Sequence, residues 1–188
     1  AGTARAQQKL AGTEVKLGVV FPLTGFWSGW ARMDKVALDM AVEEINAAGG
    51  VKGAKIELLF EDDTGKPDVG RAAVEKLISR DKVPVLTGGY SSAVTQAATA
   101  VAQQFKVPFL VTTGSADEIT EKGYEYVFRI NPTASEYFQP FETMLKKVGG
   151  IKTMALLYEN TQFGQSSAKD VEGAAKELNI QVVVKEGH

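Results

Sequence analysis

Cysteine is absent from this sequence, and the one histidine is the last residue, His188. The first absence excludes disulfides, thiolate metal sites and a cysteine nucleophile, and it fits an exported protein. The second removes the usual general base and the usual transition-metal ligand from nearly the whole chain. No apolar stretch approaches the ~18 residues of a membrane-spanning helix. Charge of one sign is also missing: 21 basic residues stand against 23 acidic ones, and no long basic run occurs. That balance argues against nucleic acid or an anionic membrane as partner. Phosphate-binding signatures are lacking too. The stretch GVVFPLTG (18–25) is not G-x-G-x-x-G, and G-x-x-x-x-G-K-[ST] does not occur.

What is present is enough apolar material, 44% of residues, to build a sizeable core. The leading segment AGTARAQQKLAGTE has no hydrophobic periodicity and lacks the apolar centre of a signal peptide. Its Ala4-Arg5-Ala6 fits the small-x-small pattern before a cleavage site, so it reads as the stub of a removed export signal. A cloning remnant or a frayed end reads equally well.

From there strands and helices alternate. VKLGVVFPL (15–23) is a near-continuous apolar run, as in a strand covered on both faces. Val36, Met40, Ala41, Ile45 and Ala48 recur at helical spacing, and Gly49-Gly50 closes that helix. KIELLFEDD (55–63) is a strand. Pro67 opens a helix whose buried stripe is Val69, Ala73 and Leu77. Residues 83–87, 108–113 and 124–130 read as strands, with a helix on Val94, Ala97, Ala98 and Val101 after the first. Asn131-Pro132-Thr133 then marks a crossing, because proline cannot donate to a sheet. Beyond it lie a helix (135–148), a strand (153–158), a helix (164–178) and a strand (181–184). Regular alternation with short connections predicts an α/β fold with a doubly wound parallel sheet. Two strands after Pro132 are too few for a second sheet with its own core, so the chain is expected to end inside a second domain.

In open parallel sheets, ligands sit beyond the carboxyl ends of the strands. Three loops fall there: TGFWSGW (24–30), GGYSS (88–92) and TTGSAD (112–117). Gly88 and Gly89 are expected to let backbone approach a ligand. Ser91 and Ser92 begin a helix, where free N–H groups and the dipole favour an anion. Thr113, Gly114 and Ser115 repeat that logic, so the two loops together suit a carboxylate. Taken alone, Ser91 or Ser92 reads better as an ordinary helix cap, and the functional reading rests on the two loops coinciding at strand ends. Trp30 reads as a pocket wall; for Trp27, wall and core readings are balanced.

Catalysis fits poorly. Gly89-Tyr90-Ser91-Ser92-Ala93 approaches the nucleophile elbow G-x-S-x-G, which would make Ser91 a hydrolase nucleophile, but Ala93 breaks the pattern and no base is at hand. Glu61, Asp62 and Asp63 suit either a divalent ion or a solvated strand end leading into the Thr64-Gly65 turn. No cofactor and no metal site is expected.

Taken in order, VKLGVVFPLTG, ALDMAVEEINAAGGVKGAKIELLFEDDTGKP, GGYSSAVTQAA, KVPFLVTTGSADEIT, YVFRINPT and YENTQFGQS resemble the class I periplasmic binding proteins. These are the substrate-binding proteins of ABC importers for branched-chain amino acids and related solutes. The resemblance covers residue 15 onward. It implies two α/β lobes that close on a small-molecule ligand, lobe one at 15–131 and an incomplete lobe two at 132–188, with a hinge near Asn131 and Pro132. Ser92 matches the serine that holds the ligand carboxylate. Thr113 and Ser115 match head-group contacts, and Trp30 an aromatic cover, with Tyr90 and Ser91 beside them. Phe163 matches a second-lobe aromatic that is often tyrosine, and Tyr158 at a strand end is the candidate to supply the missing hydroxyl. The resemblance further implies export, a membrane permease as partner and no enzymatic activity. An aromatic carboxylate or amide is the alternative ligand, the carboxylate suiting the rings as well as a branched-chain amino acid does, and a ligand-sensing domain of a regulator shares the fold. The apolar elements of 135–188, with no complete sheet over them, are expected to make the chain self-associate or retain a complement.

Overall fold

The computed structural model describes residues 14–188, so Ala4-Arg5-Ala6 lies outside the described residues. Five parallel strands, β1 (Glu14–Phe21), β2 (Lys55–Asp62), β3 (Val85–Gly88), β4 (Phe109–Val111) and β5 (Val127–Arg129), form one sheet in the order β2-β1-β3-β4-β5. The order reverses at β1, which pairs with β2 on one side and β3 on the other. Helices α1 (Ser28–Ala47), α2 (Pro67–Ser79) and α3 (Ser92–Phe105) connect the first four strands, and the short α4 (Glu118–Glu121) precedes β5.

Strand alternation sends successive side chains of β1 into different cores. Val20 joins Val74, Leu77, Leu86, Val101, Phe109 and Val111 under α2 and α3. Val19 and Phe21 join Ala31 of α1 on the opposite face, with Leu38, Leu58 and Phe60 packed around them. This is the doubly wound arrangement the alternation predicts.

The expected α1 exists, but Val36, Met40 and Ile45 face solvent, at 55%, 64% and 39% exposure. Ala31 and Leu38 face the sheet instead, and Asn46 is held there by its amide, which donates to the Ile56 carbonyl and accepts from its N–H, both at 2.8 Å. The apolar stripe therefore lies on the outward side. α1 packs on β2, and the neighbouring face over β4 and β5 leaves Phe128 and Ile130 exposed.

After β5 the chain crosses once. Thr133 caps α5 (Ala134–Val148) through a reciprocal pair: the Glu136 N–H donates to its hydroxyl and its own N–H donates to the Glu136 carboxylate. β6 (Thr153–Tyr158), α6 (Gln162–Glu177) and β7 (Gln181–Gly187) follow. β6 and β7 pair in parallel as a separate two-stranded sheet. The expectation that two strands gather no core needs correction. Leu145, Ala175 and Ile180 are buried together with Phe141, Met154, Leu178 and Val182 around them, because α5 and α6 pack on each other as well as on the strands.

Candidate functional site

The carboxyl ends of β1, β3 and β4 and the first turns of α5 and α6 enclose a cavity of about 330 Å³. α3 aims its N-terminus at it, with Ser91, Ser92 and Ala93 on the wall. The first N–H groups of a helix have no intrahelical acceptor, and the dipole makes this end positive. Ser91 holds the N-cap position in extended conformation, but its side chain makes no capping bond. Ser92 is 4% exposed and its hydroxyl oxygen accepts from the Ala116 N–H at 3.2 Å. The hydroxyl proton of Ser92 stays available to the cavity.

The two glycines of GGYSS serve the protein rather than a ligand. Gly88 and Gly89 have φ of 112° and 82°. A Cβ on Gly88 would stand 2.4 Å from the Val20 carbonyl oxygen, and one on Gly89 2.6 Å from the Thr95 hydroxyl. They let the loop lie against β1 and α3, which turns Tyr90 and Ser91 toward the cavity.

Thr113 and Ser115 line the opposite side of the α3 terminus. The Ser115 hydroxyl donates to the Thr113 carbonyl at 2.8 Å and accepts from the Asn131 amide at 3.1 Å, so its polar capacity is spent within the loop. Arg129 steadies the same loop by donating to the carbonyls of Gly114 and Ala116, each at 2.8 Å. Asn131 adds a bond to the Thr113 carbonyl, and Pro132 follows it directly.

The aromatic wall departs from expectation at two positions. Trp27, not Trp30, lines the cavity. α1 begins at Ser28, so Trp30 is already helical and its ring turns away, 48% exposed. Trp27 stands 5.7 Å from the Tyr90 ring, with Trp30 behind it at 6.0 Å. Tyr158 also lies off the cavity. It is the last residue of β6, and its ring packs over β7, where a Cβ on Gly187 would meet it at 3.1 Å. The next residue, Glu159, faces the cavity instead. Phe163 in the first turn of α6 does line it.

Besides Trp27, five lining residues escaped the sequence reading: Ala93, Tyr137, Glu159, Thr161 and Gln162. Thr161 was legible as a cap, since the Gly164 N–H donates to its hydroxyl at 3.2 Å. Nothing in the linear sequence marks Tyr137 or Glu159, which tertiary packing alone brings opposite α3. Burial first, then the negative charges of Asp34 and Glu159, push the Tyr90 phenol above its ordinary range, so it remains a donor.

The acidic stretch at the end of β2 disperses. Glu61 pairs with Lys76. Asp62 accepts from the Thr24 hydroxyl at 2.5 Å and the Thr64 N–H at 2.8 Å. Asp63 is buried and accepts from the Gly65 N–H. Among the described residues no cluster of acidic, histidine or cysteine side chains has the placement to hold a metal ion. His188 bonds through its backbone to Tyr158 and Asn160 and is not on the cavity wall, so Ser91 has no imidazole beside it.

A parallel sheet whose strand ends meet a second α/β unit over a hydroxyl- and ring-lined cavity defines a ligand-binding fold of the periplasmic type. The family model described as "Periplasmic binding protein" matches residues 14–188, and the chain belongs to that family. A Leu/Ile/Val-binding protein homolog 7 of Brucella abortus is 34% identical over 187 residues, covering 95% of this chain and 46% of that protein. A solute-binding protein of an ABC transporter from Rhodopseudomonas palustris, solved with 3,4-dihydroxybenzoic acid, superposes with a TM-score of 0.84 at 25% identity, over 93% of this chain and 47% of that one. An ABC transporter substrate-binding protein from Desulfitobacterium hafniense, solved with Leu, gives a TM-score of 0.78 at 25% identity, over 93% and 51%. The chain thus spans about half the length of the curated relatives it matches. No helix among the described residues is long and apolar enough to cross a membrane.

Proposed function

We propose that this chain belongs to an exported, non-catalytic solute receptor that binds a small carboxylate between two lobes and delivers it to the permease of an ABC importer. One observation carries the reading. The α3 N-terminus, with Ser91 and Ser92, faces a cavity whose other walls are the rings of Trp27, Tyr90, Tyr137 and Phe163. Such a site offers an anion a dipole and hydroxyl donors, and offers an apolar body rings to pack on. Lobe one is residues 15–131 and lobe two begins at 132, with Asn131 and Pro132 at the hinge. The names of the relatives support two ligand types, a branched-chain amino acid and an aromatic carboxylate. Phe128 and Ile130, left exposed at the β5 edge of the sheet, support association of the chain through that face. A hydrolase reading lacks a base at Ser91.

Calorimetry on the purified protein and its Ser92→Ala variant tests the site. Loss of the hydroxyl should weaken carboxylate binding by about 1.5–3 kcal/mol, as for a hydrogen bond to a charged group. Unchanged affinity removes Ser92 from the site, and native mass spectrometry that finds no carboxylate ligand overturns the reading.

A further inference from the structure

Among the twelve residues on the cavity wall, Glu159 is the only one with a charged side chain. Among the described residues no lysine, arginine or histidine lines the cavity, and Glu159 takes part in no ion pair. Its backbone is held in place. The Thr161 N–H donates to its carbonyl at 2.8 Å, and Gly164 packs so closely on that carbonyl that a Cβ would overlap it at 1.9 Å. The carboxylate therefore belongs to a fixed turn between β6 and α6 rather than to a wandering loop. A second negative group strengthens the field: Asp34 lies near Tyr90 from the α1 side, with one buried carboxylate oxygen lacking a partner.

Anion binding at α3 and a carboxylate on the facing wall make the cavity electrically two-ended. A ligand anion at α3 is attracted by the helix N-terminus and opposed by Glu159. A ligand that also carries a donor turns that opposition into a charge-assisted hydrogen bond. One without a donor strips water from Glu159 and returns nothing. We infer that Glu159 is a specificity-determining residue that selects carboxylate ligands bearing a second, proton-donating group, an ammonium or a hydroxyl, and rejects their donorless analogues. The inference rests on the carboxylate reading proposed above.

Two matched probe pairs test it: leucine against 4-methylpentanoate, and 4-hydroxybenzoate against benzoate. Each is titrated into the wild-type protein, Glu159→Gln and Glu159→Met, with thermal melting as a check on folding. In at least one pair the donor-bearing probe should bind the wild type tenfold or more tighter than its analogue. Glu159→Met should close that gap, partly by letting the donorless probe bind as well as or better than to the wild type. A variant that merely damaged the fold would weaken both members together. Glu159→Gln separates the two donors: it should close the gap for the ammonium, which needs the charge, and keep most of it for the hydroxyl, which the amide carbonyl still accepts. Equal binding of both members to the wild type, a gap that survives in Glu159→Met, or equal loss of both members in the variants overturns the inference while leaving the carboxylate reading intact. Binding of no member of either pair overturns both.

Discussion

Trp27 and Trp30 differ by three positions in sequence and by their side of a helix start, which gives them separate consequences. Trp27→Ala should weaken ligand binding by about 1.5–3 kcal/mol through lost apolar burial. Trp30→Ala, at an exposed ring, should stay within about 0.5 kcal/mol of the wild type. Both are read by calorimetry. Ligand-dependent emission should vanish in Trp27→Phe and persist in Trp30→Phe. Asp63 invites a different measurement. Burial pushes its carboxyl up to about 6, against the bond from the Gly65 N–H, and the neighbouring charge of Asp62 adds to the rise. A carboxyl whose folded value lies above its unfolded one favours the protonated state. Its contribution is whole below pH ~4 and is lost as pH climbs through about 6. Asp63→Asn keeps an acceptor for Gly65 and removes the charge. It should raise stability by on the order of 2 kcal/mol at pH 8 and change it little at pH 4, as chemical denaturation at the two pH values will show.

Among the elements, β5 and the loop after β4 act together. The Arg129 guanidinium satisfies two carbonyls of the loop that carries Thr113 and Ser115. Arg129→Met leaves the Gly114 carbonyl only the 3.3 Å bond from the Asn131 amide and the Ala116 carbonyl only the 3.2 Å bond from the Ile119 N–H, and should cost about 1–2 kcal/mol in urea unfolding; Arg129→Lys should recover only part of it, since one ammonium cannot reproduce the fork. The order and type of these elements were legible because apolar runs and helical spacing report burial directly. The face of α1 was not. Its apolar side points outward, and spacing alone cannot say which side of a helix meets a sheet. The hydroxyl loops were legible from their position at strand ends, whereas Glu159 and Tyr137 reach the cavity only because a second unit is folded over it. The error at Trp30 was one of boundary, since a helix starting at Ser28 turns that ring aside. Tyr158 failed by the alternation of a strand, which gave the cavity its successor.

At the scale of the whole molecule, one face of the five-stranded sheet is covered by α2 and α3 and the other only partly, by α1. Phe128 and Ile130 on that second face, with Met33, Val36 and Met40 along α1, are exposed. Apolar side chains left open on a sheet face and edge favour association. The chain in isolation should sediment as more than a monomer, and Phe128→Lys with Ile130→Thr should shift it toward one. A 20.2 kDa monomer before substitution would contradict this. The strand order has a further consequence, in time rather than in space. β1 is made first, yet Leu17 finds its partner Val85 only after α1, β2 and α2 have been made. Closing so distant a pair is slow compared with forming any single helix. Until β3 arrives, the residues of β1 that will become the centre of both cores have no shelter on one side. The nascent chain therefore passes through a window in which the strand at the centre of its sheet is open to chaperones, to proteases and to other copies of itself, and the length of that window is set by how fast β3 is delivered.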